Sequence, residues 1–109
     1  MSAEVWNPRE RFAELARLPD ARIDLARAAL WIAAEEYPAL DVEAELARLD
    51  ALAALAAPQL RDAASDAERA LALLRFLHDE QGFAGNEERY GDPRNSFLNE
   101  VLERRTGIP

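Results

Sequence analysis

Asp41-Val42-Glu43-Ala44-Glu45-Leu46-Ala47-Arg48-Leu49-Asp50-Ala51-Leu52-Ala53-Ala54-Leu55-Ala56-Ala57-Pro58 is the stretch that decides the fold. It holds one β-branched residue, Val42, and no strand-like alternation of apolar and polar side chains. Asp41 is a helix-capping residue. Val42, Leu46, Leu49, Ala53 and Ala56 then recur at helical spacing, and Leu52 with Leu55 widens the stripe. From Ala51 to Ala57 the helix is apolar on every side. Such a helix sits centrally in a core or beneath a partner, and the expectation is a central third helix. Pro58 bends or ends it.

Helical spacing extends in both directions. Upstream, Asn7 ahead of Pro8 is a start signal, and the first helix is expected to run to Leu18, with Phe12, Leu15 and Ala16 inward and Pro19 as the stop. Asp20 is expected to cap a second helix running to Tyr37, with Ile23, Ala26, Leu30 and Ala33 as its apolar stripe. Pro38 ends it, because the residue before proline avoids the α region. Downstream, Ser65-Asp66-Ala67-Glu68 reads as a capping box, with Ser65 and Glu68 each bonding the other's amide. Leu71, Leu74, Leu77 and His78 follow on that fourth helix, and Gly82 is its C-terminal cap. A fifth helix begins near Asp92-Pro93 or at Ser96, carries Leu98, Val101 and Leu102 on one face, and is expected to stop at Gly107 and Pro109. The fold class is therefore all-α, a compact array of about five helices, with residues 1–109 as a single helical domain.

Composition narrows the chemistry. Twenty-one acidic residues against 13 basic ones give a net charge of −8. That sign repels phosphate backbones and anionic lipid, so neither nucleic acid nor a membrane is an expected partner. The chain has no cysteine and no lysine, which removes thiol nucleophiles, thiolate metal sites, disulfides and Schiff-base chemistry within it. Met1-Ser2-Ala3-Glu4-Val5-Trp6 and the residues after it lack the basic and apolar regions of a leader, so a cytoplasmic location is expected.

The informative polar residues lie late in the chain. Gly82, Phe83, Gly85 and Asn86 lead through Tyr90 to Asp92, Pro93, Asn95, Ser96, Asn99 and Glu100, and the run closes on Thr106-Gly107-Ile108-Pro109. Together with Glu35-Glu36-Tyr37-Pro38 and Leu40-Asp41-Val42 upstream, it resembles the bacterial transglutaminase-like family of the SirB type. Members of that family join a helical N-terminal region to a transglutaminase-like core and tetratricopeptide repeats. The resemblance covers the chain from about Ile23 to Pro109, and Gly82–Pro109 is its specific part. It implies an N-terminal helical region whose core, with any nucleophile and its His partner, follows Pro109. No catalytic, cofactor or metal residue carries over onto these positions. The implied role is a non-catalytic scaffold or interaction surface. A self-contained adaptor or homodimer module, and part of an enzyme completed beyond Pro109, stand as alternatives.

Several residues invite sharper readings. His78 is a possible base or metal ligand, yet a lone imidazole lacks companion ligands, and its spacing places it on a helix at the core edge. Asp79, Glu80, Glu87, Glu88 and Asp92 depart from a calcium loop, since Phe83 and Gly85 fall where oxygen ligands belong. Glu35 and Glu36 point about 100° apart on a helix and do not share a proton. Asn95 or Ser96 is expected to cap the last helix, with Asn99 and Glu100 in its first turn; the alternative is that these two face the core beyond. Gly82, Gly85, Gly91 and Gly107 are expected to supply positive-φ turns.

Overall fold

The computed structural model describes residues 7–109; the part of the leader reading that falls on residues 1–6 lies outside the described residues. Five α-helices follow one another: α1 (Pro8–Ala16), α2 (Leu25–Glu36), α3 (Val42–Leu60), α4 (Asp66–Arg75) and α5 (Leu98–Arg104). The array measures 51 × 35 × 25 Å. Among the described residues no helix is long and apolar enough to cross a membrane.

Most starts are set by the expected side chains. Asn7 accepts from the amides of Arg9 and Glu10, and Asp41 accepts from that of Ala44 at 3.1 Å. Ser65 Oγ accepts from the Glu68 amide at 3.1 Å. The return half of that box differs, because the Glu68 carboxylate reaches the amide of Ala64 at 2.7 Å and not that of Ser65. Asp20 does not cap the second helix. Asp20–Arg22 forms a separate 3-10 turn, and Asp24 takes the cap by accepting from the Arg27 amide at 3.1 Å. The extended residue between them, Ile23, lines an apolar groove with Phe12 and Ile32. The first helix closes at Ala16, two residues short of the expected Leu18, where Leu18 turns back to bond the Leu15 carbonyl at 3.1 Å.

The centre of the array is α2, which corrects the expectation for α3. It packs against α1, α3 and α5 and buries Ala28, Leu30, Ala33 and Ala34. Leu30, Ala34 and Val42 form the core cluster, with Trp31, Leu40, Leu46 and Leu98 against it. Full burial of a leucine such as Leu30 stabilises by about 1.5–3 kcal/mol. In α3 only Val42 and Ala56 are buried, while Leu55 is 59% exposed and Ala51, Ala53, Ala54 and Ala57 are exposed. Helical period locates apolar faces but does not say which face finds a partner. Pro58 lies within α3, which continues to Leu60.

Beyond α3 the packing thins. None of α4 is buried, and its anchor is Phe76 in the π-helical turn Phe76–Glu80 that continues it. Gly82, at φ +77°, ends this segment as expected of a C-terminal cap. Two short strands, β1 (Ala84–Gly85) and β2 (Thr106–Gly107), then pair in parallel, Ala84 with Thr106 and Gly85 with Gly107. They fasten the loop after α4 to the chain leaving α5.

Candidate functional site

The sequence singles out Gly82–Glu100, and the structure builds this segment from the inside out. Asn95 is 3% exposed, the one buried polar residue among those described. Its side-chain amide donates to the carbonyls of Arg89 and Tyr90 at 3.0 and 3.2 Å, and its Oδ1 accepts from Asn86 Nδ2 at 3.0 Å. Asn86 Oδ1 in turn accepts from the Arg89 amide at 2.9 Å. Two asparagines thus replace the backbone pairing that this irregular segment lacks.

Asn95 and Ser96 therefore do not cap the last helix. The cap position is Phe97, with no side-chain bond, and a 3-10 turn, Pro93–Ser96, precedes it. Asp92 caps that turn by accepting from the Arg94 amide at 3.0 Å. The Asp92 carboxylate also pairs with the Arg94 guanidinium at 2.7 Å and lies 3.9 Å from that of Arg104. Hydrogen bonds from Arg94 hold the Asp92 pKa down at about 2.

Glu100 does not serve the free amides of α5. Its carboxylate accepts a 2.8 Å hydrogen bond from Tyr37 Oη, which lies beside Pro38 at the far end of α2. That bond, with partial desolvation, raises the Tyr37 pKa. The Tyr37 ring meets Phe97 edge-on at 5.6 Å between centroids. Asn99, the neighbour of Glu100, keeps a buried Oδ1 without a hydrogen-bond partner, as does Arg104 at Nη1.

At the other end of the segment, Arg105 occupies the left-handed region at φ 56°. Its guanidinium donates to Gln81 at both the backbone carbonyl and Oε1, and it lies 5.4 Å from the centre of the Phe83 ring. The glycines divide by cause. Only Gly82 needs a positive φ; a Cβ on Gly85 would come within 2.4 Å of Pro109 Cα, and one on Gly107 within 3.2 Å of a Val101 methyl. Nothing approaches Gly91, so neither space nor φ explains it.

The structure thus brings Asn86, Tyr90 and Asn95 together, Asp92 and Pro93 beside them, and Glu100 onto Tyr37. Tyr90 contributes its carbonyl while its side chain stands 73% exposed. Sequence reasoning missed Tyr37, Arg94, Arg104 and Arg105 as members. No local signal marks Tyr37, Arg104 or Arg105, since each acts through a residue placed near it only by folding, whereas Arg94 stands two residues from its partner Asp92.

The other candidates stand apart. His78 lies on the π-helical turn, well exposed and not at the core edge, with Nδ1 3.0 Å from Asp79 Oδ1. Glu35 pairs with Arg9, away from Glu36. Among the described residues no three His, Asp or Glu side chains converge as metal ligands would.

The profile of the transglutaminase-like superfamily matches residues 43–109. A UPF0162 protein of Xylella fastidiosa is 33% identical over 105 residues, which is 96% of this chain and 35% of that protein. A UPF0162 protein of Pseudomonas aeruginosa is 44% identical over 95 residues, covering 87% of this chain and 34% of its own length. One from Vibrio cholerae is 48% identical over 65 residues, 60% of this chain and 23% of that protein. The chain thus spans about a third or less of the curated relatives it matches. No solved structure matches it. With the profile covering everything from the first turn of α3 to Pro109, this chain belongs to the transglutaminase-like superfamily.

Proposed function

We propose that the chain is the non-catalytic helical region of a SirB-type transglutaminase-like protein, a scaffold against which a core and tetratricopeptide repeats assemble in the cytoplasm. One observation carries this reading. The polar side chains of the matched segment are turned on one another: Asn86 on Asn95, Asp92 on Arg94, Glu100 on Tyr37, and Arg105 on Gln81. A nucleophilic site needs a base aimed at a nucleophile and an orienting group behind the base. Here there is no thiol, and the one imidazole lies on the surface beside Asp79. Asn99 Oδ1 and Arg104 Nη1, buried and unpartnered, fit a face completed by further chain.

The test mixes this chain with the part of the Pseudomonas aeruginosa relative that lies outside the match, followed by titration calorimetry. A one-to-one complex weakened by Asn99→Ala is expected. Absence of binding overturns the scaffold. Release of ammonia from a glutamine peptide by this chain alone overturns the non-catalytic half of the reading.

A second reading, a docking module for another protein, is favoured by Leu55, Leu71 and Leu74, at 59, 47 and 63% exposure. Capture of a second protein that competes with the relative's remainder would establish it.

A further inference from the structure

Helix α4 stands almost without packing. Its 10 residues are few for a helix in water, and of Asp66–Arg75 only Ala72 is even half-buried. Local devices hold it instead. Ser65 Oγ accepts from the Glu68 amide, the Glu68 carboxylate reaches the Ala64 amide, and Asp66 pairs with Arg69. Arg75 lies in the last turn, where a cation suits the helix dipole.

The apolar side chains of this preformed helix make a stripe. Ala67, Leu71 and Leu74 follow at spacings of four and three, the seam that one helix offers another. The stripe lies about 100–160° around the helix from Ala72, whose partial burial marks the side packed on the array. Leu71 is 47% and Leu74 63% exposed, so the seam looks away from the other helices.

Two observations name its occupant. The family profile takes in the whole of α4, and the match covers only 35% and 34% of the Xylella and Pseudomonas relatives, leaving most of each outside it. Charge supplies the second. Glu68 and Arg75, three residues before Leu71 and four after it, flank the stripe on one side. Both are exposed, and Arg75 has no ion-pair partner among the described residues. An antiparallel helix with the ordinary order of charge, acid in its first turn and base in its last, sets a base beside Glu68 and an acid beside Arg75.

We infer that the outer face of α4 seats an amphipathic helix from the part of the protein that corresponds to the unmatched length of its relatives, laid antiparallel along Ala67, Leu71 and Leu74. The inference rests on the scaffold reading and adds to it the surface that is used.

Hydrogen exchange on two chains tests it: this chain alone, and this chain set in place of the matched third of the Pseudomonas aeruginosa relative. In the joined chain the α4 amides are expected to exchange at least about ten-fold more slowly than in the chain alone. Leu74→Asp removes that protection, and because the site is exposed the variant keeps the helical signal of the chain alone. Arg75→Glu weakens the protection about three-fold. Unchanged α4 exchange in the joined chain leaves the face free for another protein and overturns the inference; the scaffold reading stands if α5 gains protection and falls if neither helix does. Protection that survives Leu74→Asp also overturns the inference. So does α4 protection that rises with concentration in the chain alone, which assigns the face to a second copy. The intact relative needs no graft: its segment aligned with Asp66–Arg75 is expected to be protected, and loop-like exchange there overturns the inference.

Discussion

Asn95 is the buried centre of the Gly82–Glu100 segment, because its side chain ties Asn86, Arg89 and Tyr90 together across a stretch with no helix. Truncating it leaves the Tyr90 carbonyl and the Asn86 amide without their partner, while the Arg89 carbonyl keeps only the Asp92 amide. Asn95→Ala is expected to destabilise by about 1–3 kcal/mol in denaturant unfolding. A loss within error would mean that water replaces the side chain freely. Asparagine is equally a helix cap and a loop staple, so its identity was legible in the sequence while its role was not. Asp92 is a different case, since Asp92-Pro93 could be read as the start of a helical segment but the pairing of Asp92 with Arg94 and Arg104 could not. Its pKa is lowered from 3.8 to about 2. The carboxylate therefore stabilises the fold above the unfolded value, and that contribution disappears as pH falls through the folded one. Thermal midpoints of the wild type are expected to fall more steeply between about pH 4 and pH 2 than those of Asp92→Asn. Equal slopes would remove the ion pair from the account.

At the scale of elements, starts were more legible than stops or partners. Asn7, Asp41 and Ser65 cap as their residue types dictate, since the bond is made within one turn. Asp20 and Asp24 offer two equivalent local signals, and the second wins where Ile23 takes an extended conformation at the apolar groove with Phe12. Helix α5 closes at Arg104, short of the stop expected at Gly107, because Arg105 takes the left-handed position although arginine is not a left-handed residue by preference. The conformation of Arg105 costs about 1–2 kcal/mol and is held by its contacts with Gln81 and Phe83. Two substitutions separate these terms. Arg105→Ala loses the contacts and keeps the strain, whereas Arg105→Gly loses the contacts and relieves it. The glycine variant is expected to be the more stable of the two by about 1 kcal/mol in urea unfolding. The reverse order would place Arg105 in an ordinary conformation in solution. Gly85 constrains the same junction from the other side. Gly85→Ala is expected to separate β1 from β2, seen as faster exchange of the Ala84 and Asn86 amides, which bond Arg105 and Gly107.

Across the whole molecule, burial is graded along the chain. The core cluster joins α2 to the start of α3, and Leu102 anchors α5. Helix α4 buries nothing and hangs on the second half of α3 and on Phe76. The sequence gives α3 and α4 strong apolar stripes, and only a three-dimensional count of neighbours reveals that much of both stripes faces water. Opening free energy follows buried apolar contact, so the array is expected to open in sequence and not all at once. Native-state hydrogen exchange checks this residue by residue. Amides of Leu30, Ala33 and Ala34 are expected to exchange only through global unfolding. Those of Leu71 to Leu74 are expected to exchange through a local opening at least about 10-fold faster, a difference of about 1.4 kcal/mol. Weakening the Ser65 cap by Ser65→Ala should then speed exchange in α4 with little effect on α2. Equal protection of α2 and α4 would carry the opposite meaning: the Leu55, Leu71 and Leu74 surface would be covered in solution, and the thin packing around α4 would belong to the isolated chain alone.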